Sequence, residues 1–416
     1  MMTKKTQYTA IAAILSMAST PLFGAGFQLQ ERSVSGLGRA YSGEAAIADD
    51  ASILSSNAAG IIRLDDGAYS VGLQYINPSV NVKGTQFAPP VGAAAVGPVS
   101  DSDVAGDAIV PYFYYTRKIN DNISAGIGVF SSFGLATDYS DGFAAAIGTD
   151  LSEITTLTIN PSVAMRLNEQ VTLGVGLDVM YAEGRLSNTL GGGTLFDLEG
   201  DDWALGWNIG ILYELSEKTR IGLHYRSSID LTIDGSAQLN PPLGAPGTDV
   251  DATLDVELPD SAEFSIYHEL NDKWAVHADV IWTNWSKFKT LAPETGTPAD
   301  PALVVQENWN DAFRYAIGAT YKHSERCTFR AGVALDESPV STSNRTLRIP
   351  DGDRIWISIG ATIKLNECYN LDLGYTHIFA DDVSIVRKAA GGNEDLFSGK
   401  IGGDVDIIGI GISGSF

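Results

Sequence analysis

Two-residue alternation runs through most of the chain. From Val171 the odd positions are Val171, Leu173, Val175, Leu177, Val179 and Tyr181, and the even ones Thr172, Gly174, Gly176, Asp178, Met180 and Ala182. The same division separates Leu157, Ile159, Pro161, Val163 and Met165 from Thr158, Asn160, Ser162, Ala164 and Arg166. It returns with Ile355, Ile357, Ile359, Ala361 and Ile363 against Arg354, Trp356, Ser358, Gly360 and Thr362. One face of each segment is apolar and the other small or polar, which over about ten residues is the pattern of a strand set between hydrocarbon and a polar interior. Strands of a soluble β-sandwich alternate as well. Three features weigh against a sandwich: the segments are long, very short connections alternate with long ones, and the polar side carries glycines and charges that would fill a core poorly.

Short turns fall at 120–122, 168–170, 216–218, 271–272, 323–325 and 366–367, and long polar loops near 81–107, 138–150, 188–202, 236–250, 288–308, 337–352 and 380–400. Six turns and seven loops join fourteen strands. The expected fold is therefore all-β, a 14-stranded antiparallel transmembrane β-barrel over residues 67–416, with both ends of the wall on the periplasmic side. Such a wall must close, because an open edge in lipid leaves amides and carbonyls unpaired at several kcal/mol each. The last strand places Ile408, Ile410, Ile412, Gly414 and Phe416 on one face. A terminal aromatic on an alternating strand looks like a recognition signal for the barrel assembly machinery, an expected partner.

Composition narrows the class further. Beyond the N-terminus no run of 18 or more apolar residues occurs, which excludes ordinary membrane-spanning helices. Residues 1–24 combine Lys4 and Lys5 with an apolar stretch over 8–17 and small residues at Gly24 and Ala25, so an export signal peptide is expected and, with the barrel, an outer-membrane location. A formal net charge of −24 argues against nucleic acid as a partner. Cys327 and Cys368 are too few for a disulfide scaffold; both lie beside short turns, and a single bridge or two free thiols both stand open. Trp282, Trp285 and Trp309 flank a long loop and are expected in an aromatic girdle at the membrane interface, with ligand capture as the second role. The acid-rich stretches 101–103 and 351–353 lack the calcium-loop pattern and are expected to be solvated. The five histidines show no metal spacing and no nucleophile elbow is present, so neither an enzyme, a metal nor a cofactor is expected.

Residues 25–66 do not alternate. They are rich in small residues, weakly helical, and stand where a plug would sit, inside a barrel too wide to be filled by its own wall. Their glycines do not make a dinucleotide fingerprint. The segment Gly26-Phe27-Gln28-Leu29, the stretch 35–44 (SGLGRAYSGE) and the stretch 47–51 (IADDA) resemble the FadL family of outer-membrane transporters for long-chain fatty acids and other hydrophobic compounds. The resemblance recurs at 134–137 (GLAT), 206–215 (GWNIGILYEL), 311–314 (DAFR), 329–332 (FRAG), 338–340 (SPV), 344–345 (NR) and 349–354 (IPDGDR), in order over the whole mature chain.

The resemblance implies a fourteen-stranded barrel plugged by an N-terminal hatch, which agrees with the strand count. It further implies capture of a hydrophobic substrate at the extracellular loops, binding in the lumen beside the hatch, and lateral exit through a gap in the wall. Phe27 matches the hatch aromatic that borders the inner site, and Phe133-Gly134 the inward kink of the third strand that makes the gap. Two positions depart from the family: an Asn-Pro-Ala triplet of the hatch is here Asn57-Ala58-Ala59, and the basic residue expected near the outer end of the fifth strand is Asn188, with Arg185 three residues earlier. By alternation Arg166, Arg220, Arg226, Arg314, Arg330 and Arg354 face inward with Asp178 and Asp336. Either they form a carboxylate-binding lumen, with Arg314 and Arg354 the best placed, or they pair the wall with the hatch. Expected partners are long-chain fatty acids or other hydrophobic molecules, the outer-membrane lipid and lipopolysaccharide, with the chain acting as a monomer. Aromatic or alkane hydrocarbons are the alternative substrates, and a general porin the alternative function.

Overall fold

The computed structural model describes residues 26–416 except 88–96, 141–142, 144–149, 191–192, 241–246, 297–303 and 389–394. The expected signal peptide, residues 1–24, lies outside the described residues.

Among the described residues the chain forms one closed antiparallel barrel of fourteen strands. These are β1 (Tyr69–Gln86), β2 (Ala108–Asn120), β3 (Ile123–Phe130 and Gly134–Asp138), β4 (Leu151–Arg166), β5 (Val171–Leu190), β6 (Gly193–Ser216), β7 (Thr219–Arg226 and Ile229–Leu239), β8 (Thr248–Leu258 and Ser261–Glu269), β9 (Trp274–Thr283), β10 (Ala312–Lys322), β11 (Cys327–Asp336), β12 (Arg354–Lys364), β13 (Asn370–Ala380) and β14 (Asp395–Gly414). Closure comes from β1 pairing with β14 along its whole length, from Tyr69 opposite Gly414 to Gln86 opposite Phe397. This removes both sheet edges, which hydrocarbon would not tolerate. No helix among the described residues is long and apolar enough to cross a membrane; the strands do the crossing. Their outward side chains form the apolar band, with Leu205 67% and Ile317 62% exposed. Trp274 stacks on Tyr321 at one rim, and Tyr181 packs on Trp203 near the other. Cys327 and Cys368 are free thiols.

Several expected loops are strand instead. β5 runs to Leu190 and β6 starts at Gly193, while β7 reaches Leu239 and β8 starts at Thr248, so the hairpins stand well above the apolar band. The reason is a change of phase. Lower in β5 the outward residues Val175 and Leu177 are apolar and the inward Asp178 is polar. Higher up, the outward residues are Glu183 and Arg185, and the inward Ala182 and Leu186 are buried. Period two persists, but the apolar set crosses from the lipid side to the lumen side where the surroundings outside become aqueous.

The N-terminal segment fills the lumen as a hatch. It holds three single-turn helices, Val34–Leu37, Glu44–Ile47 and Ile53–Ser56, and the 3-10 turn Ala58–Arg63. Helices this short leave nearly every terminal N–H and C=O without an internal partner, and the wall supplies the partners. Arg220 donates to Ala46 O at 3.0 Å and Ile47 O at 2.8 Å, Arg314 to Ala40 O at 2.7 Å, and Arg226 to Ser55 O at 2.8 Å while pairing with Asp178. Carboxylates take the N–H groups: Asp279 accepts from Gly43 and Glu263 from Ala45, each at 2.9 Å. Arg330 and Arg39 both grip Asp49 at 3.1 Å. Of the two possibilities for the inward arginines, wall-to-hatch pairing is therefore what Arg220, Arg226, Arg314 and Arg330 display. Asn57 ties the hatch together, capping Ala59 N and donating to Ala45 O at 2.8 Å and Ile211 O at 3.0 Å, while Ala58 and Ala59 lie fully buried beside Gly174.

Candidate functional site

The hatch begins beside the interruption in β3. Phe130 of β3 faces Thr158 of β4, yet Gly134 faces Thr155, so three residues of β3, 131–133, oppose two of β4. This bulge turns Phe133 inward, where its ring is buried. Its backbone is held there by Thr156, whose Oγ1 accepts from Phe133 N at 3.0 Å and donates to Phe133 O at 2.7 Å. The hatch completes the kink as a fragment of strand: Gln28 bridges Phe133, Leu29 N donates to Ser132 O at 2.9 Å, and Gly134 N to Phe27 O at 3.0 Å. Beyond the kink, residues Gly134–Asp138 pair with β4 on one side. Toward β2 the described residues record no ladder, only Asp138 N donating to Val104 O at 2.9 Å. Pro111 lies in this stretch of β2, where a residue without an N–H suits an edge.

Phe27, Phe133, Trp285, Phe288 and Trp309 form one buried aromatic cluster, with Phe27 4.7 Å from Trp285 and 5.3 Å from Phe288 between ring centroids. The edge-to-face arrangement suits rings whose faces are negative and edges positive. Trp285 and Trp309, expected in the membrane girdle, are thus corrected to the lumen: they are 0% and 3% exposed because the loop after β9 folds back into the barrel. Trp282 stays on the wall, its indole donating to Asp311 at 3.1 Å.

Above this cluster lies a narrow cavity, lined chiefly by Phe27, Leu135, Ile154, Leu186, Ile233, Leu254, Val256, Phe288, Leu291 and Ile349. Its walls are the inward apolar faces of the raised hairpins, so the change of phase along β5 to β8 is what makes it greasy. Its polar end is Arg348. This residue sits on the loop between β11 and β12, is 4% exposed, and donates to Asn188 Oδ1 at 2.6 Å, Ser152 Oγ at 2.9 Å and Leu151 O at 3.2 Å. Burial pushes the guanidinium down to about 10, opposed chiefly by Glu307, so it remains a cation at neutral pH.

The expected site residues divide accordingly. Phe27, Arg185 and, through Arg348, Asn188 belong to the cavity; Arg185 stands at its rim, half exposed and paired with Asp197 at 2.7 Å. Arg314 and Arg354 do not line it. Arg314 is spent on the hatch carbonyl of Ala40 and lies over the Trp356 ring at 5.1 Å, and Arg354 pairs with Asp351. Alternation along their strands reports that a side chain faces the lumen but not what fills the lumen there. The cation that does end the cavity escaped that reasoning, because Arg348 sits in a loop without periodicity. Asp351 in the same loop accepts from Gly26 N at 3.2 Å and Ser338 Oγ at 2.7 Å, tying the loop to the start of the hatch. Among the described residues no group of three or more histidines, cysteines or carboxylates is arranged to hold a metal.

A closed, hatch-plugged barrel with an interrupted third strand and a lumenal apolar cavity defines an outer-membrane channel for hydrophobic molecules. The family model described as outer membrane protein transport protein (OMPP1/FadL/TodX) matches residues 15–416, and the chain belongs to this family, which places it in the bacterial outer membrane. It is 36% identical to a long-chain fatty acid transport protein of Escherichia coli O6:H1, over 93% of this chain and 94% of that protein. It is 32% identical to outer membrane protein P1 of Haemophilus influenzae, over 90% of each. In fold it resembles the crystal structure of a Pseudomonas aeruginosa FadL homologue, with a TM-score of 0.83 at 20% identity, covering 94% of this chain and all of that one. It also resembles the Pseudomonas putida toluene transporter TodX, with a TM-score of 0.70 at 16% identity over 94% of this chain and all of that one.

Proposed function

We propose that the protein carries long-chain fatty acids passively across the outer membrane, taking them at the extracellular loops, holding them in the cavity above Phe27, and releasing them sideways through the β2–β3 interruption. The observation that carries this reading is the pairing of a narrow apolar cavity with one buried cation, Arg348, at its end. A fatty acid has the matching shape and polarity. Its methylenes gain about 0.8 kcal/mol each on burial, and its carboxylate accepts charge-assisted bonds from the guanidinium. Relatives 35–36% identical over 92–93% of this chain bear the name long-chain fatty acid transport protein, which points the same way. A neutral hydrocarbon would have no use for Arg348, which favours fatty acids over toluene-like substrates.

In this reading residues 1–24 direct export, residues 25–66 act as the hatch and 67–416 as the channel, with Phe27, Arg185, Asn188 and Arg348 contacting substrate and Phe133 and Gly134 shaping the exit. Capture is driven by burial of the chain and by the Arg348 contact, so no energy source is required; lipopolysaccharide outside is the polar barrier that a protein route circumvents. The monomer suffices, since the cavity and the interruption both lie within one chain.

The test is uptake of labelled oleate and of labelled toluene in a host lacking its own transporter. Oleate uptake is expected and toluene uptake is not. Arg348→Ala removes a charge-assisted bond of about 1.5–3 kcal/mol, so half-saturating oleate is expected to rise about tenfold or more. An unchanged oleate response in this variant would take the carboxylate away from Arg348.

A further inference from the structure

Behind the cavity a carboxyl group is buried that neither the hatch nor the wall uses. Glu307 lies on the loop between β9 and β10 and is 0% exposed. Its Oε2 accepts from the Trp309 indole at 2.9 Å, while its Oε1 has no hydrogen-bond partner among the described residues. Trp309 belongs to the aromatic cluster that floors the cavity, its ring 4.7 Å from Phe288 and 5.9 Å from Phe27. The charged group that acts on Glu307 is Arg348, from the loop between β11 and β12. Arg348 in turn feels Arg387, Asp150 and Tyr139, and the cavity rim adds Glu153 and the paired Arg185 and Asp197.

Lateral release poses a chemical problem that binding does not. An ionised carboxylate leaving Arg348 for hydrocarbon loses its counter-ion and its hydration together, and charged groups in a bilayer are costly. A neutral carboxylic acid crosses readily. Something along the route must therefore supply a proton to the substrate.

We propose that Glu307 is that donor, passing the proton on its Oε1 to the fatty acid carboxylate so that substrate enters the bilayer as the neutral acid. The proposal rests on the fatty acid reading above. Because the indole N–H occupies Oε2, the proton of the acid form sits on Oε1, the oxygen left without a partner. In the transfer the O–H bond at Oε1 breaks and one forms on the substrate carboxylate. Glu307 is left as a carboxylate that takes over the Arg348 charge just vacated by the substrate, so the net charge of the site is unchanged. It regains a proton from external water before the next substrate arrives. Burial supports the assignment by pushing the Glu307 carboxyl up to about 7, where it exchanges protons at neutral pH.

The experiment compares wild type with Glu307→Gln and Glu307→Asp in transporter-deficient cells, measuring uptake of labelled oleate and of labelled oleyl alcohol between about pH 5 and 9. Wild-type oleate uptake is expected to fall as pH rises through about 7, because the acid form of Glu307 is then lost. In Glu307→Gln, oleate uptake at neutral pH is expected to drop about tenfold or more and to lose that pH step, oleyl alcohol is expected to pass as in wild type, and Glu307→Asp is expected to restore part of the oleate rate. A Gln variant that carries oleate at the wild-type rate with the wild-type pH profile overturns the proposal, and so does an equal loss for oleate and the alcohol, which would mark a structural role. A wild-type chain that imports the alcohol but no oleate at any pH overturns the fatty acid reading and this one with it, and is told apart by failing before any variant is made.

Discussion

Deleting Phe133 should reduce oleate uptake to background while leaving an assembled barrel. The one-residue excess of β3 over β4 is the cause of the kink: Phe130 faces Thr158 and Gly134 faces Thr155, so removing one residue between them restores a single register. The inward residues after the kink, Leu135 and Thr137, then fall in phase with Ser124 and Phe130 before it. A straight β3 can extend its ladder along β2 and close the interruption, and the hatch bridge from Gln28 loses its site. Assembly is read from heat-modifiable gel mobility and transport from labelled oleate. A folded variant that still takes up oleate would remove the lateral route. Replacing Gly134 is the weaker test, because the extra residue and not the glycine sets the bend.

The second large effect concerns the fit of the hatch. Gly332 and Gly222 face the lumen where the hatch backbone presses on the wall, and a Cβ at either would collide with the carbonyl of Arg39 or of Ala45. Neither neighbour is a flexible tip that can turn aside. Overpacking of side chains costs about 1–3 kcal/mol, and a backbone collision more, so Gly332→Val and Gly222→Val should dislodge the hatch. The expected readout is stepwise ion conductance in planar bilayers and sensitivity of cells to large antibiotics, neither of which is expected of wild type. Gly184→Ala is the control: its added carbon would meet neighbours at 3.7 Å, an ordinary contact, and should leave the barrel tight. Valine variants that assemble and remain non-conducting would show that the hatch yields without leaving.

The wall was legible because lipid imposes one rule on every strand. Val175 and Leu177 outside against Asp178 inside is a pattern that survives in a single sequence. The raised hairpins obscured themselves, since the apolar set passed from Val179 outside to Leu186 inside and looked like a loss of periodicity when it was a change of side. The substrate end was the least legible part. Phe27 and Phe133 were found by resemblance, but Arg348, Glu307, Trp285 and Trp309 lie on loops, where no repeat says which way a side chain points. Burial decides their roles, and it arises from two loops folding into the barrel, a long-range event without a local signal. Arg314 and Arg354 show the converse: their inward direction was correct, while the groups they meet, Ala40 O and Asp351, depend on how the hatch is threaded.

Where the tail of a bound fatty acid lies separates a sideways exit from passage through the hatch. An oleate carrying a photoreactive diazirine near its methyl end, added to cells and irradiated during uptake, labels whatever residues the tail passes. Adducts on Phe133, Leu135 and the facing stretch of β2 from Ala108 to Tyr112, with none on Arg63 or Glu214 at the periplasmic mouth, are the predicted result. Labelling at the mouth with none along β2 and β3 would contradict it.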